Sequence, residues 1–402
     1  MRSVAAALLL LSFATWAQRP SATPPGIRRL DGSTLSFSDA DAFARKTLAD
    51  THVTGAQIAI LDQGKTIWNA SYGLRRKDPD TTMDRNSILW AASITKSVFA
   101  TYVMQLAERG LFSLDTPIAQ QLAKPLNTYE PYRSAGSEIV KDSSWPRVTP
   151  RMLLSHTSGL ADFANLEPDK KMHLHFAPGT QFLYSSEGIN LVQFAVEQKL
   201  QKPLDELMQQ AIFNPLGMSH TGMIYRKDFS VDAADRFDSN GKFIAKTRRF
   251  PAKAAGSMTT SADDLARFLT GLFNGQVVKP ATMKMMLSSQ RPIPTLHQFP
   301  LVFNEPPGAE AKATGLAYGL GWGLLTHTKF GPAFFKEGRG DGAQSYVICF
   351  TKRQTCMVIV TNSDNGERAF RPLLEHLLGD TVTPWEWEGY TPAYIEAAKK
   401  FQ

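Results

Sequence analysis

The amino-acid sequence predicts an α/β fold of the α+β type, in which a discontinuous α/β domain carries an inserted, mainly helical domain. Strand-like apolar runs occur near both ends of the 402-residue chain, whereas its middle shows helical periodicity. At 43% hydrophobic residues, the chain can bury a large core. The simplest assembly therefore joins residues 36–90 and 250–385 in one α/β domain and assigns residues 91–249 to the helical domain.

The first residues predict a segment that is removed on export. Arg2 precedes an apolar run over residues 4–11, and Ala17 closes a pattern typical of a secretory signal peptide over residues 1–17. The run is far shorter than the ~20 residues that a membrane-spanning helix needs. We therefore expect an exported protein, periplasmic or extracellular, without stable membrane insertion.

The next segments predict an arm, a helix and a hairpin. Residues 18–35 are Pro-rich at first and lack apolar periodicity, which favours an exposed N-terminal arm. A helix is predicted over residues 38–49, with Ser38 and Asp41 placed like a capping box. A β-hairpin is predicted over residues 54–72, because two apolar runs flank a polar turn.

The middle of the chain has the spacing of buried helices. Helices are predicted over residues 93–108, 149–154, 188–200 and 204–212. A loop over residues 125–146 is rich in Tyr, Ser and Lys, and its length favours a surface or site-lining role.

Strand signals return after residue 260. A capped amphipathic helix is predicted over residues 261–273, followed by β-type runs over 318–326, 332–336, 345–351 and 356–361, a helix over 368–378 and a C-terminal tail over 386–402. Cys349 and Cys356 flank a polar turn between two of these runs. A disulfide and two buried free thiols both fit this setting, and neither cysteine has a metal-binding or catalytic context.

Composition excludes one class of partner. The formal net charge is +7, and the basic residues are scattered rather than gathered in one stripe. This pattern is typical of a solvated surface and does not support nucleic-acid binding.

Ser93-Ile94-Thr95-Lys96 is the motif that carries chemistry. It opens the predicted helix 93–108, so one turn of helix brings the Ser93 hydroxyl and the Lys96 amine to the same face. The segment over residues 239–242 has the same spacing, but it lies on an Asn-Gly turn. A serine nucleophile needs a nearby base, and Lys96 can be that base if burial and a second cation lower its pKa.

Two later segments supply the other groups of an acyl-transfer site. Lys336, in Lys336-Glu337-Gly338, can be the second cation, and Tyr184, in Tyr184-Ser185-Ser186, can relay protons. His156 invites comparison with a Ser-His-Asp triad, but the chain has no Gly-x-Ser-x-Gly elbow, so we expect a structural histidine.

In order along the chain, these three motifs resemble those of the serine β-lactamase and penicillin-binding-protein superfamily, in particular the class C β-lactamase, D-Ala-D-Ala carboxypeptidase and related esterase branch. Supporting blocks lie at residues 153–160, 177–180, 214–218 and 256–265, so the likeness covers roughly residues 35–380. The resemblance implies an antiparallel sheet flanked by helices, a helical domain, and a site in the cleft between them.

The same resemblance assigns roles to residues. It implies Ser93 as nucleophile, Lys96 and Tyr184 as proton-transfer groups, and the backbone N–H groups of Ser93 and Arg339 as oxyanion donors. It also places substrate-binding or oxyanion positions at Lys336, Gly338, Arg339 and Ser186. No metal or organic cofactor follows from it, and the expected partner is a small ester, amide or peptide substrate.

Two departures from the family pattern bear on the substrate. Ser186 stands where the family usually has Asn, whose amide reads a substrate amide, and Glu337 stands where it usually has Thr or Ser. A carboxylate at that place repels an anionic substrate unless Arg339 neutralises Glu337 or takes over the recognition. The sequence thus favours an exported serine hydrolase acting on an ester or another amide. The alternatives are a β-lactamase or D-Ala-D-Ala carboxypeptidase, and a non-catalytic peptidoglycan or ligand sensor with this fold.

Overall fold

A large antiparallel sheet organises the molecule. The computed structural model describes residues 26–299 and 308–391. In chain order, the strands of this part are β1 (Gly26–Arg28), β2 (Thr34–Ser36), β3 (Gly55–Asp62), β4 (Lys65–Lys77), β5 (Asp80–Thr82), β6 (Leu89–Trp90), β7 (Asp235–Phe237), β8 (Phe243–Lys246), β9 (Thr259–Thr260), β10 (Arg291–Pro292), β11 (Leu316–Tyr318), β12 (Gly323–Leu325), β13 (Ala333–Gly340), β14 (Ala343–Phe350) and β15 (Thr355–Thr361). The order across the main sheet is β10-β11-β12-β13-β14-β15-β3-β4-β5. The two ends of the chain meet where β15 pairs antiparallel with β3.

Helices cover both faces of this sheet. The α-helices of the described part are α1 (Phe37–Asp50), α2 (Ile94–Glu108), α3 (Pro150–Leu154), α4 (Ser186–Leu200), α5 (Leu204–Met208), α6 (Ala262–Phe273), α7 (Pro280–Met286), α8 (Ala309–Thr314), α9 (Gly366–Leu373) and α10 (Trp385–Glu388). α2 and α6 pack on one face, and α1 and α9 pack on the other. The predicted α+β class, with an antiparallel sheet between helices, is confirmed.

The side chains of β15 alternate between the two cores. Val358 and Val360 belong to the core that contains α2 and α6, while Met357 and Ile359 belong to the core that contains α1 and α9. Because both faces are covered, the strand is apolar without interruption, which explains why it was readily predicted. None of the helices in the described residues is long and apolar enough to cross a bilayer.

The first helix begins earlier than predicted. Ser36, not Ser38, caps α1: its hydroxyl accepts the Asp39 backbone N–H at 3.0 Å and donates to the Asp39 carboxylate at 2.7 Å. The capping-box prediction for Ser38 and Asp41 was wrong. The same Ser-x-x-Asp spacing occurs two residues upstream, where Ser36 is extended and free to cap.

Both predicted terminal segments need correction. An exposed arm over 18–35 is wrong for its second half, because β1 pairs with β2 and Ile27 is fully buried. The predicted tail over 386–402 begins inside α10, where Trp387 packs in the core. Residues 1–25, with the expected signal peptide, and residues 392–402 lie outside the described residues.

The later strands also differ from their predicted bounds. The run predicted over 332–336 continues as β13 to Gly340, and β13 pairs with β14. The Lys336-Glu337-Gly338 motif therefore lies inside a strand, whereas the sequence predicted that it follows one. The run 318–326 is divided into β11 and β12. Cys349 and Cys356 face each other across β14 and β15 and form a disulfide. The segment predicted as the helical domain also contains the β7–β8 pair, and the domain boundaries stay a prediction.

Candidate active site

The candidate nucleophile lies where α2 meets β13. Ser93 is the residue that precedes the first turn of α2, and the helix after it is buried along most of its length. β13 passes so closely that a Cβ on Gly338 would lie 2.3 Å from the Ala91 carbonyl oxygen and 3.3 Å from the Ser93 nitrogen. Only glycine fits this approach. An oxyanion hole built from the N–H groups of Ser93 and Arg339 requires such proximity, although that assignment stays a prediction.

Ser93 and Lys96 are in hydrogen-bond contact. Lys96 Nζ lies 2.8 Å from Ser93 Oγ and donates to the Ala255 carbonyl oxygen at 2.6 Å. Burial, and after it the positive charge of Lys336, lower the pKa of Lys96 to about 7. A large fraction of the amine is therefore neutral at physiological pH and can accept a proton from the serine.

Tyr184 lies between the side chains of two lysines. The centre of its ring is 5.0 Å from Lys96 Nζ and 4.9 Å from Lys336 Nζ. Burial, together with the negative charge of Glu337, raises the pKa of the Tyr184 phenol well above its ordinary value. Tyr184 stays a neutral phenol, which suits a relay that gives and takes a proton.

The Lys336 ammonium is paired within its own strand. Lys336 is fully buried, and its Nζ donates to Glu337 Oε1 at 2.6 Å and to the Glu337 carbonyl oxygen at 3.1 Å. Gln298 Nε2 donates to the same carboxylate oxygen at 3.0 Å. Lys336 Nζ and Lys96 Nζ both lie about 5 Å from the centre of the Tyr184 ring, and the positive charge of Lys336 lowers the pKa of Lys96.

Arg339 does not neutralise Glu337. Its guanidinium forms a paired contact with the carboxylate of Glu367, in which Nη2 lies 2.7 Å from Oε2. Lys336 neutralises Glu337 instead, because its fully buried Nζ lies 2.6 Å from Glu337 Oε1. The sequence allowed two roles for Arg339, to neutralise Glu337 or to take over recognition of the substrate. The first of these is not what the structure shows, since Arg339 pairs with Glu367.

Ser186 begins α4 at the edge of the site. Its backbone N–H donates to Asp162 Oδ1 at 2.8 Å, while Ser185 caps the helix through the Gly188 N–H at 2.9 Å. Asn190, one turn further along α4, accepts the Ala255 N–H at 3.1 Å. These contacts fix the segment that carries the Lys96 acceptor against the helix.

A cavity of about 710 Å³ opens at Ser93. It brings together most of the predicted site residues, namely Ser93, Lys96, Tyr184, Ser186 and Arg339. Lys336 and Gly338 lie behind its wall. Pro131 and Tyr132 of the loop over residues 125–146 also line it, as expected for a site-lining loop.

Sequence reasoning missed about half of this lining. The missed residues that carry charge or aromatic surface are Trp90, Asp162, Phe163, Glu187, Arg249, Lys253, Phe299, Glu388 and Tyr390, and the missed amide side chains are those of Asn190 and Gln298. Glu388 and Tyr390 come from the supposed tail. None of these residues stands in a local motif, although the segment from Arg249 to Gly256 leads directly into one of the supporting blocks.

His156 supports the Tyr184 segment. Its Nδ1 accepts the Ser185 backbone N–H at 3.1 Å, and its ring lies 4.3 Å from the Tyr184 ring. Burial, and after it the charge of Lys96, lower the pKa of His156 well below its ordinary value, so the imidazole is neutral. Across the part of the chain that the structure describes, no group of three His, Cys, Asp or Glu residues could hold a metal ion.

Comparisons with known proteins agree with this geometry. The family model described as Beta-lactamase matches residues 40–379. Esterase EstB of Burkholderia gladioli is 26% identical over 221 residues, which cover 48% of this chain and 53%, about half, of EstB. The D-alanyl-D-alanine-carboxypeptidase/endopeptidase AmpH of Escherichia coli strain K12 is 21% identical over 347 residues, covering 80% of this chain and 83% of AmpH.

Solved structures share the fold. The octameric penicillin-binding protein homologue from Pyrococcus abyssi superposes with a TM-score of 0.66 at 21% identity, covering 88% of this chain and 79% of that chain. Identity this low establishes the fold alone, while the family match spans most of the sequence. The chain belongs to the Beta-lactamase family, within the superfamily of serine β-lactamases and penicillin-binding-protein-like hydrolases.

Proposed function

We propose that the protein is a serine hydrolase that forms an acyl-enzyme on Ser93 and prefers an ester as its substrate. The observation that carries this proposal is the 2.8 Å contact between Ser93 Oγ and Lys96 Nζ, in a setting that lowers the pKa of Lys96 to about 7. A buried lysine with this pKa is suited to activate a hydroxyl.

The geometry supports a two-step reaction. The neutral Lys96 amine takes the Ser93 proton as Oγ attacks the substrate carbonyl, and backbone N–H groups beside Ser93 and β13 stabilise the oxyanion. Collapse of the intermediate breaks the bond to the leaving group, which takes a proton from Tyr184. The Lys96 ammonium then returns a proton to Tyr184. Water repeats the sequence on the acyl-enzyme and frees Ser93.

The charges near β13 favour an uncharged group at that strand. The Glu337 carboxylate engages the Lys336 ammonium at 2.6 Å, so this lysine offers no open cation to a substrate carboxylate. Ser186 also provides a shorter reach than the asparagine that it replaces. An esterase and a carboxypeptidase are both among the relatives, and these two differences support the ester.

We also propose that the protein is exported. The disulfide between Cys349 and Cys356 forms and persists in an oxidising compartment. This agrees with the signal peptide that the sequence predicts over residues 1–17.

Quenched intact-mass spectrometry tests the reaction. Incubation with p-nitrophenyl butyrate should give a transient butyryl adduct that maps to Ser93, together with turnover of the ester. Ser93→Ala should lose both, and full activity in this variant would overturn the proposal. A long-lived benzylpenicillin adduct with little ester turnover would support the D-Ala-D-Ala carboxypeptidase alternative. Absence of any labelling by a fluorophosphonate would support a non-catalytic sensor.

A further inference from the structure

An unpaired guanidinium forms part of the cavity wall. Arg249 lines the cavity that opens at Ser93, and within the described residues its guanidinium makes no hydrogen bond or ion pair. Its Nε is buried without a partner. A buried N–H group without a hydrogen-bond partner is costly, and a ligand that accepts from it removes this cost.

A tryptophan holds this guanidinium in place. The Arg249 guanidinium carbon lies 4.0 Å from the centre of the Trp90 ring. Trp90 Nε1 donates to the Gly256 carbonyl oxygen at 2.5 Å, and a Cβ on Gly340 would lie 2.3 Å from the far edge of the indole. The indole is thus fixed on two sides, and the stacked guanidinium is pre-organised to bind through its edge.

A second guanidinium lies over the same ring. The Arg236 guanidinium carbon lies 5.2 Å from the centre of the Trp90 ring. Lys253 also lines the cavity, but its positive charge acts on Glu187 and Glu197 of α4. Burial, and after it the charge of Arg236, lower the pKa of Arg249, while Asp341 attracts it without forming an ion pair. Two guanidinium groups therefore share this ring, and Asp341 is the carboxylate whose charge acts on both.

One short backbone segment contacts both Trp90 and Lys96. Ala255, two residues after Lys253, accepts the Lys96 ammonium at 2.6 Å, and the next residue accepts the Trp90 indole. A group bound at Arg249 would therefore be held by the same short segment that holds Lys96.

We propose that the wall formed by Trp90 and Arg249 binds a carboxylate of the substrate, at a distance from the bond that Ser93 attacks. This subsite rests on the proposed hydrolase function. A guanidinium edge matches a carboxylate in two hydrogen bonds. Asp162 and Glu187 line the same cavity, which disfavours a dianion such as a phosphate monoester.

Two esters of equal acyl length test the subsite. p-Nitrophenyl valerate ends in a methyl group, whereas mono-p-nitrophenyl glutarate ends in a carboxylate. The measured quantity is kcat/KM for the glutarate monoester divided by kcat/KM for the valerate ester. This ratio should be about 10- to 100-fold lower in Arg249→Gln than in the wild type, the range for hydrogen bonds to a charged group. Arg248→Gln is the matched control, because this exposed neighbour stacks on Tyr225 and does not line the cavity. An unchanged ratio in Arg249→Gln would overturn the subsite.

A binding measurement separates the two proposals. Ser93→Ala cannot turn over, so titration of this variant with mono-p-nitrophenyl glutarate by calorimetry reports binding at the wall without hydrolysis. Binding that is lost in the Ser93→Ala, Arg249→Gln double variant supports the subsite even if the wild type hydrolyses neither ester. If the wild type hydrolyses both esters but Ser93→Ala does not bind mono-p-nitrophenyl glutarate, the hydrolase proposal is supported and the subsite is overturned. Inorganic phosphate binding tighter than glutarate would overturn the choice of a carboxylate.

Discussion

At the scale of single residues, the charge of Lys96 is set by competing neighbours. Burial and the ammonium of Lys336 lower its pKa, while the carboxylates of Asp162 and Glu337 raise it. Lys336 and Glu337 are hydrogen-bonded to each other, so their opposite effects on the pKa of Lys96 partly cancel. Changing either one should move the titration of Lys96 in a direction that its charge dictates.

Activity should rise with pH through the titration of Lys96. The amine acts as a base only when neutral, so kcat/KM for p-nitrophenyl butyrate should increase through a pH of about 7 and then level off. Lys336→Met removes a repelling cation, so the pKa of Lys96 should increase and the rising limb should move up by on the order of one pH unit. Lys46→Met, at an exposed position on α1, is the control, and an unmoved limb in Lys336→Met would contradict the assignment.

Glu337 should control the acceptance of anionic substrates at β13. Glu337→Thr removes the carboxylate that engages Lys336, so the rate of acylation by benzylpenicillin should increase about tenfold. Stopped-flow or quenched mass spectrometry measures this rate. Glu337→Asp keeps the negative charge and should stay slow, whereas equal rates in the two variants would exclude charge as the cause.

At the scale of elements, local patterns decide where a helix begins, and strand pairing decides how far a strand runs. The Ser93-x-x-Lys96 spacing was predictable because one helical turn is a local property. The extent of β13 was not, since residues 337–340 continue as a strand only because β14 pairs with them. Arg249 and Glu388 reach the site through tertiary packing, which leaves no periodic signal in the sequence.

The position of the α1 cap can be tested with two neighbouring serines. Ser36→Ala removes the hydroxyl that accepts the Asp39 N–H at 3.0 Å, so the free energy of unfolding should fall by about 1 kcal/mol. Ser38→Ala, at the exposed position that the sequence favoured, should change it by less than about 0.5 kcal/mol. Urea unfolding followed by circular dichroism distinguishes them, and the reverse order would place the cap at Ser38.

At the scale of the whole molecule, the fold class followed from the sequence, because long helices and apolar strands leave strong periodic signals. The short strands β6, β9 and β10 were missed, since two residues carry no periodicity. Of the candidate site, the contact between Ser93 and Lys96 and the position of Tyr184 next to them could be predicted, as each residue lies in an ordered motif. The pairing of Arg339 with Glu367 could not, because Glu367 is distant in sequence. The pairing of Lys336 with Glu337 could not either, since adjacent side chains of a strand normally point to opposite faces of the sheet.

The disulfide should stabilise the molecule without serving catalysis. It joins β14 to β15 at the strand ends opposite to Gly338, seven residues apart in sequence. Replacing both cysteines with serine should lower the free energy of unfolding by about 2–3 kcal/mol, as expected for a short closed loop. Urea midpoints with and without dithiothreitol measure the loss, and a large decrease in kcat would contradict this structural role.

The pairing of β15 with β3 has a consequence for how the chain folds. Met357 pairs with Ile60, so the centre of the sheet joins segments nearly three hundred residues apart. Such a high contact order implies slow folding, and the sheet cannot close until almost the entire chain is available. A chain shortened before β15 would leave the apolar edge of β3 unpaired, and such an edge promotes aggregation in place of a smaller stable protein.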